Sequence, residues 1–229
     1  MIEFLFIDLD DTILDFHKAE AVALEKTLRS LGLAPTDTVL TRYSQINREH
    51  WERLERKEIA REQVLIGRFE QLMQEFGIGV AAEQCARAYE HNLSIGHYFL
   101  PGAREAVEGL SRKYKLYLAS NGTSRVQAGR LKSANISHFF QEIFISQDMG
   151  ANKPDAEYFK RCFARIPGFE PKKAMIVGDS LTSDILGGIQ AGISTCWVNP
   201  TGKPGREDIK PDYEIPSLSQ LEALLDSLL

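Results

Sequence analysis

The chain has 229 residues, of which 43% are hydrophobic and 26% charged, and its formal net charge is −5. This composition is typical of a globular protein in water, and the length suits a core domain that carries a smaller inserted unit. The acidic balance argues against polymeric nucleic acid as a partner, which needs clustered Lys and Arg, and no apolar run reaches the roughly 18 to 20 residues of a membrane span.

The first predicted element is a buried strand that begins at Phe4 and ends in acidic residues. Asp8 follows the apolar run directly, and Asp10 and Asp11 come next. An apolar strand that ends abruptly in acids is typical of a parallel sheet whose carboxyl edge opens into a site. Met1 leads into this strand with no basic segment or separate apolar stretch before it, so we expect a cytoplasmic protein.

About eighty residues after this strand show the spacing of amphipathic helices. Apolar residues recur there at intervals of three and four, which predicts four helices: Lys18–Leu31, Asp37 to about Lys57, Arg61–Phe76 and Ala81–Ser94. Trp51, Phe69 and Phe76 fit the apolar stripes and are expected to be core residues. Residues 15–97 are therefore predicted to form an all-helical insertion packed as a small bundle.

Helices and short strands alternate in the rest of the chain. Strands are predicted at Lys115–Ala119, Glu142–Ile145, Ala174–Val177, Ser194–Val198 and Tyr213–Ile215. Helices are predicted at Gly102–Lys113, Ser124–Ala134, Pro154–Arg165, Asp184–Ala191 and from Ser219, the last one capped by Ser217 or Ser219. This alternation predicts an α/β fold with a doubly wound, Rossmann-like parallel sheet, made of residues 1–14 and 98–229.

The helical insertion leaves and rejoins this core beside the expected site. It is connected there through residues 15–17 and 96–98, so we expect it to act as a lid, or cap, that excludes water from the site. His17 and His97 lie next to these connections and are candidates for substrate contact. Gly187 and Gly188 are expected to serve close packing of a helix on the sheet.

Two pairs of carboxylates follow predicted strands. Asp8 and Asp10 would point to the same side of an extended segment, where one can act as a nucleophile and the other as a general acid and base. Asp179 and Asp184 follow a second buried strand and could join Asp8 and the backbone carbonyl of Asp10 as oxygen ligands of Mg²⁺. The alternatives are a surface turn at Asp8 and Asp10, and a helix cap at Asp184.

Other polar residues stand at the ends of two further strands. Ser120, Asn121 and Gly122 offer a hydroxyl, an amide and a flexible backbone N–H before a helix, which suits phosphate oxygens but also makes a good turn. Lys153 could neutralise a phosphate together with a nucleophilic carboxylate, although a lone lysine is usually a solvated surface charge. The cysteines Cys85, Cys162 and Cys196 form no CxxC pair and are expected to be free, buried thiols.

Together these motifs resemble the haloacid dehalogenase superfamily of phosphatases. The strand that ends in Asp8-Leu9-Asp10-Asp11-Thr12 is similar to the first motif of that family, and Ser120, Lys153 and the pair Asp179 and Asp184 match the second, third and fourth. The helical insertion resembles the first cap class of the family. Residues 178–192, together with Thr195–Asn199, resemble the branch of pyrimidine 5′-nucleotidases, in which Ser120 stands where Thr is common.

The resemblance implies a Mg²⁺-dependent phosphomonoester hydrolase that acts through an aspartyl phosphate. In this interpretation Asp8 is the nucleophile and Asp10 the general acid and base, while Lys153, Ser120, Gly122 and the backbone N–H groups of Leu9 and Asn121 hold the phosphate. The substrate would be a small phosphorylated compound such as a nucleoside monophosphate, and the protein a monomer or small homo-oligomer.

Three alternatives stay open on the sequence alone. A 2-haloacid dehalogenase also uses an aspartate nucleophile but needs neither metal nor proton, so Asp10 and Asp179 favour the phosphatase. A phosphatase, phosphomutase or phosphonatase acting on sugar or other small organic phosphates would share the cap class, although Lys18, Lys26 and Lys57 show no special context for a Schiff base. A non-catalytic phosphate-binding module is disfavoured because every catalytic position is filled.

Overall fold

The computed structural model describes residues 1–228 and contains a parallel sheet of six strands. They are β1 (Phe4–Ile7), β2 (Lys115–Ser120), β3 (Glu142–Ile145), β4 (Ala174–Gly178), β5 (Ser194–Val198) and β6 (Tyr213–Ile215). The order across the sheet is β3-β2-β1-β4-β5-β6, and all neighbouring strands are parallel. The first strand of the sequence, β1, therefore lies at the centre of the sheet. Its carboxyl end lies between the carboxyl ends of β2 and β4.

Ten α-helices accompany the sheet within the described residues. They are α1 (Phe16–Ser30), α2 (Asp37–Glu55), α3 (Arg61–Phe76), α4 (Ala82–Ser94), α5 (Ala103–Ser111), α6 (Ser124–Ala134), α7 (Ser146–Met149), α8 (Ala156–Ala164), α9 (Leu186–Ala191) and α10 (Leu221–Asp226). No helix in residues 1–228 is long and apolar enough to cross a membrane.

Both faces of the sheet are covered, as a parallel sheet requires. Leu5 and Ile7 of β1 pack in one hydrophobic cluster with residues of α5 and α10, and Phe4 and Phe6 pack in another with residues of α8. Such alternation follows from the pleat of a strand, which sends successive side chains to opposite faces. Gly188 lets α9 approach the sheet as predicted, because a Cβ there would lie 2.5 Å from Ile176 Cγ2.

Helices α1–α4 form a separate hydrophobic cluster between β1 and α5 in the sequence. Its buried members include aromatic and leucine side chains: Leu24, Leu28, Tyr43, Phe69, Leu72 and Tyr89. In this insertion α1 packs on α4 and α2 on α3, while α4 also packs on α6 of the core. The side chain of Asp15 caps α1 by accepting from Lys18 N at 2.8 Å, and Gly77 ends α3 with a φ of 63°.

Some short elements differ from the sequence-based expectation. The helix expected from Asp184 starts earlier, as a π-helical turn over Leu181–Ile185 whose N-cap is Ser180. The expected capping of the last helix is wrong, because Ser217 Oγ and Ser219 Oγ lie 2.7 Å apart and bond each other instead. The four-residue helix α7 was not expected. The three cysteines are free and buried, as predicted.

Candidate active site

A cavity of about 520 Å³ lies between the carboxyl edge of the sheet and the helical insertion. Its core side is lined by residues from the ends of β1, β2 and β4 and from the loop before α8: Asp8, Asp10, Asp11, Ser120, Asn121, Gly122, Lys153, Asp179 and Asp184. This volume is in the range that holds a small organic ligand. Residues from four separate stretches of the chain thus share one site.

Lys153 is buried at the centre of this group. Its Nζ donates to Asp8 Oδ1 at 2.7 Å, to Asp184 Oδ1 at 2.6 Å and to the carbonyl of Ala119 at 2.5 Å. Burial by itself lowers the pKa of Lys153, but the charges of Asp184 and Asp8 raise it above its usual value. The ammonium therefore stays charged, and the expectation of a solvated lysine does not apply.

Three carboxyl groups cluster here, and two of them, those of Asp8 and Asp184, pair with this ammonium. One oxygen from each of Asp8, Asp179 and Asp184 lies within 4.8 Å of the others. Burial raises the pKa of Asp8 to about 8 and that of Asp179 well above its usual value, and the neighbouring carboxylates add to both effects. The single ammonium of Lys153 cannot balance three ionised carboxylates. These hard oxygen donors therefore fit a cation such as Mg²⁺.

Gly178 makes room for one of these carboxylates. A Cβ at this position would lie 2.2 Å from Asp184 Oδ2, so a larger residue would displace the acid. The same oxygen accepts from the backbone N–H of Ser180 at 3.1 Å. Asp184 therefore lies inside the turn that Ser180 caps, and the alternative of Asp184 as a helix cap does not hold.

Asp10 has different partners from Asp8. Gln127 Nε2 donates to Asp10 Oδ2 at 2.7 Å, and Arg130 Nη1 donates to Asp10 Oδ1. Both partners belong to α6 and are buried, and Arg130 also donates from Nε to the carbonyl of Gly96 at 3.1 Å. Sequence reasoning missed Gln127 and Arg130. The available signal was two long polar residues three positions apart among the residues of α6 that face the core.

The residues after β2 divide between two tasks. The side chain of Asn121 accepts from the backbone N–H of Lys153 at 2.8 Å and donates to its carbonyl at 2.9 Å, so it fixes the loop that carries the lysine. Ser120 Oγ accepts from Gln127 Nε2 and from Gly122 N. The backbone N–H groups of Leu9 and Asn121 donate to no other group in residues 1–228 and are therefore available to a ligand.

The helical insertion supplies the opposite wall of the cavity. His17 lines it, with Nε2 3.5 Å from Asp11 Oδ2, whereas His97 lies outside it and bonds Ser133 Oγ at 2.7 Å. The expectation that Trp51 is a core residue is wrong, because Trp51 is half-buried and lines the cavity. Phe69 is buried in the insertion as expected.

The comparison with known protein families identifies the family of the chain. Residues 5–198 match the family described as haloacid dehalogenase-like hydrolase. The chain belongs to this family. The predicted α/β fold and the predicted hydrolase activity are thereby confirmed.

Two relatives are similar to it over nearly their whole length. The HAD-hydrolase YfnB of Bacillus subtilis is 39% identical, over 97% of this chain and 94% of the relative. The pyrimidine 5′-nucleotidase PynA of Streptococcus pneumoniae is 36% identical, over 98% of this chain and 95% of the relative. A crystal structure of YfnB bound to magnesium superposes with a TM-score of 0.94 at 38% identity, covering 98% of this chain and 99% of YfnB.

Proposed function

We propose that this hydrolase removes phosphate from nucleoside monophosphates, with a preference for pyrimidines, through an aspartyl phosphate. The observation that carries the proposal is the cluster of Asp8, Asp179 and Asp184 around Lys153 at the floor of a nucleotide-sized cavity. The similarity to PynA, a pyrimidine 5′-nucleotidase, supports the choice of substrate.

Mg²⁺ is the cofactor that this proposal requires. Asp8, Asp179, Asp184 and the backbone carbonyl of Asp10 would hold it, and the cation would offset the repulsion between the nucleophile and the phosphate. The donor set consists of oxygens only, which this ion prefers. The crystal structure of the relative YfnB is bound to magnesium, in keeping with this assignment.

The first chemical step uses the free oxygen of Asp8. Lys153 occupies Oδ1, which leaves Oδ2 to attack phosphorus. An O–P bond forms at Asp8 while the ester P–O bond breaks, and a proton from Asp10 goes to the leaving alkoxide. Lys153, Ser120 and the N–H groups of Leu9 and Asn121 bind the other phosphate oxygens as charge develops on them.

The second step releases phosphate and restores the enzyme. Asp10 takes a proton from water, the water oxygen bonds to phosphorus, and the bond between phosphorus and Asp8 breaks. Halide displacement would need neither this proton nor a metal. In this proposal Asp10 and Asp179 each have a role in phosphate transfer that they would lack in a dehalogenase.

We also propose that α1–α4 act as a cap that closes over the bound substrate. In this structure the insertion contacts the core through Lys57, which donates to Asp155 at 2.7 Å, and through Glu55, which accepts from Thr182 at 3.0 Å. The structure of YfnB reveals interdomain movement. Closure of this kind would exclude water from the aspartyl phosphate until its alcohol has left.

The test is release of phosphate or halide from a panel of nucleoside monophosphates, sugar phosphates and 2-haloacids, each with Mg²⁺ and with EDTA. We expect Mg²⁺-dependent phosphate release that is fastest on UMP, dUMP or dTMP. Faster phosphate release from sugar phosphates would contradict the proposed nucleotide substrate but leave the proposed phosphatase mechanism unchanged. Halide release in EDTA would contradict the phosphatase itself.

A further inference from the structure

Three polar side chains of the helical insertion form a chain of hydrogen bonds on the wall of the cavity. Asn47 Nδ2 donates to Glu20 Oε1 at 2.7 Å, and Arg68 Nη1 donates to Asn47 Oδ1 at 2.6 Å. Glu20 lies on α1, Asn47 on α2 and Arg68 on α3, and all three line the cavity. All three are nearly inaccessible to solvent, with 4% of the surface exposed for Glu20 and 3% for each of Asn47 and Arg68.

Arg68 is poorly compensated in this position. Within residues 1–228 no carboxylate oxygen lies within 4 Å of its guanidinium, and its Nε has no hydrogen-bond partner. The rings of Phe69 and Tyr89 lie 5.2 and 5.0 Å from its central carbon. Burial of a charge without a charged partner is costly, so a guanidinium on a cavity wall with free donor capacity suggests a ligand that completes its bonding.

Packing of the insertion does not explain the chain of polar residues. The aromatic cluster of Tyr43, Phe69 and Tyr89 already fills the space between the helices, with ring centroids 5.1 to 5.4 Å apart. Glu20, Asn47 and Arg68 instead line the cavity, which the carboxylates of the core line as well. A substrate whose phosphate is held by Lys153 would extend its other end toward them.

We propose that Glu20, Asn47 and Arg68 bind the imide edge of a uracil or thymine base. The inference rests on the proposed function and names the group of the substrate that the insertion recognises. This edge offers an N–H donor between two carbonyl acceptors. The Glu20 carboxylate accepts from the base N3–H, Arg68 donates to a neighbouring carbonyl, and Asn47 holds both side chains in register.

Ribose 5-phosphate separates recognition of the base from the chemical step. It has the same 5′-alkoxide leaving group as UMP and lacks the base, so the ratio of kcat/KM for the two substrates measures the contribution of the base. We expect wild-type enzyme to prefer UMP by at least about a hundredfold. We expect Glu20→Met and Arg68→Met each to reduce kcat/KM on UMP by about tenfold or more and to change it less than about twofold on ribose 5-phosphate.

Methylation of UMP at N3 tests the same contact from the side of the ligand. The methyl group removes the donor that Glu20 is proposed to accept, so wild-type enzyme should lose about tenfold or more in kcat/KM on N3-methyl-UMP. Glu20→Met should show little further loss on methylation. This comparison needs no variant of Arg68, and the wild-type measurement alone stays decisive if a substitution prevents folding.

Tyr43→Phe is the matched control. It alters a fully buried polar group among the same helices but does not line the cavity, so it should leave the UMP to ribose 5-phosphate ratio unchanged. A wild-type ratio near one would overturn the proposed nucleotidase. A high wild-type ratio that persists in Glu20→Met and Arg68→Met, or that is insensitive to N3 methylation, would overturn this inference and leave the nucleotidase standing.

Discussion

Arg130 and Gln127 hold the side chain of Asp10, and Arg130 also bonds the carbonyl of Gly96 where the insertion rejoins the core. A general acid must present its carboxyl group to the leaving oxygen in a defined orientation. The bonds from Gln127 and Arg130 fix the orientation of the Asp10 side chain. Gln127 and Arg130 are positioning residues for the proposed reaction.

Substitution of Gln127 should show this role through the leaving group. Gln127→Leu removes the donor to Asp10 Oδ2 and keeps the volume, so we expect kcat on UMP to fall about tenfold or more. The leaving group of p-nitrophenyl phosphate is p-nitrophenolate, which departs without protonation. The kcat on this substrate should therefore fall less than about twofold. Arg125→Met on the exposed face of α6 is the control and should change neither rate. Equal losses on both substrates would argue for general damage to the site and against positioning of Asp10.

Asp8 carries the nucleophilic oxygen in the proposed mechanism. Asp8→Asn should lower kcat by about a thousandfold or more, because the amide cannot form the phosphoenzyme. The substitution also removes a buried carboxyl group whose pKa is raised, and whose ionisation therefore destabilises the folded state, so the melting temperature in EDTA should stay equal or rise. Calorimetry beside the rate assay distinguishes loss of chemistry from loss of fold. A variant with near wild-type turnover would disprove the assignment of the nucleophile.

The residues of the site differ in how far the sequence could place them. Asp8, Ser120 and Asp179 stand directly after apolar runs, and parallel strands bring such positions to one edge. Gln127 and Arg130 lie on a helix, where buried polar residues look like ordinary surface residues until the fold shows which face is covered. The sequence predicts a core position for Trp51 because helical periodicity does not distinguish a hydrophobic interior from a cavity wall.

Helix α3 begins with a residue that joins the insertion to the loops proposed to bind phosphate. Arg61 Nη1 donates to the carbonyls of Asn121 and Gly122 at 3.1 Å each, and Nη2 donates to Ser146 Oγ and Asn152 Oδ1. The ring of Trp51 lies 5.5 Å from its guanidinium. Through these contacts one side chain of the insertion orders the loop after β2 and the segment just before Lys153.

Loss of this contact should open the insertion. Arg61→Met removes four hydrogen bonds across the interface, so we expect a larger radius of gyration by small-angle X-ray scattering and a KM for UMP raised about tenfold or more. Arg61→Lys should recover part of both. Arg56→Met, at the end of α2, removes an arginine whose partners Glu52 and Glu58 lie within the insertion, and should change neither measurement. An unchanged scattering profile for Arg61→Met would contradict the proposed closure.

Element boundaries could be predicted where periodicity runs long. The spacing of apolar residues located Arg61–Phe76 to the residue, and the same holds for α6, β3 and β5. Helix α7 spans four residues, which is too short for a 3.6-residue repeat to register. The π-helical turn at Leu181–Ile185 results from the bonds of Ser180 and Asp184, which no repeat in the sequence reveals.

At the scale of the whole molecule, the order of the strands turns separated motifs into one site. The central position of β1 between β2 and β4 places Asp8 next to the ends of both, although α1–α4 intervene in the sequence. The sequence could predict that these motifs share one site, because open parallel α/β sheets bind ligands at the carboxyl ends of their strands. The cavity wall that we propose recognises the substrate could not be predicted, since the packing of four helices decides which polar residues face the cavity.

Binding of Mg²⁺ should stabilise the whole molecule through this junction of strands. Asp8, Asp179 and Asp184 place three carboxyl groups beside one ammonium, that of Lys153, so the folded state gains from a cation that lets all three ionise, while the unfolded chain does not. At about 100 times its Kd, Mg²⁺ adds about 2.7 kcal/mol, which raises Tm by roughly 5 to 10 °C for a chain of this size. Asp179→Asn, which breaks no ion pair within residues 1–228, should abolish most of this shift and raise Tm in EDTA. A shift of equal size in Asp179→Asn would place the cation elsewhere and remove the basis for a metal at the junction of β1 and β4.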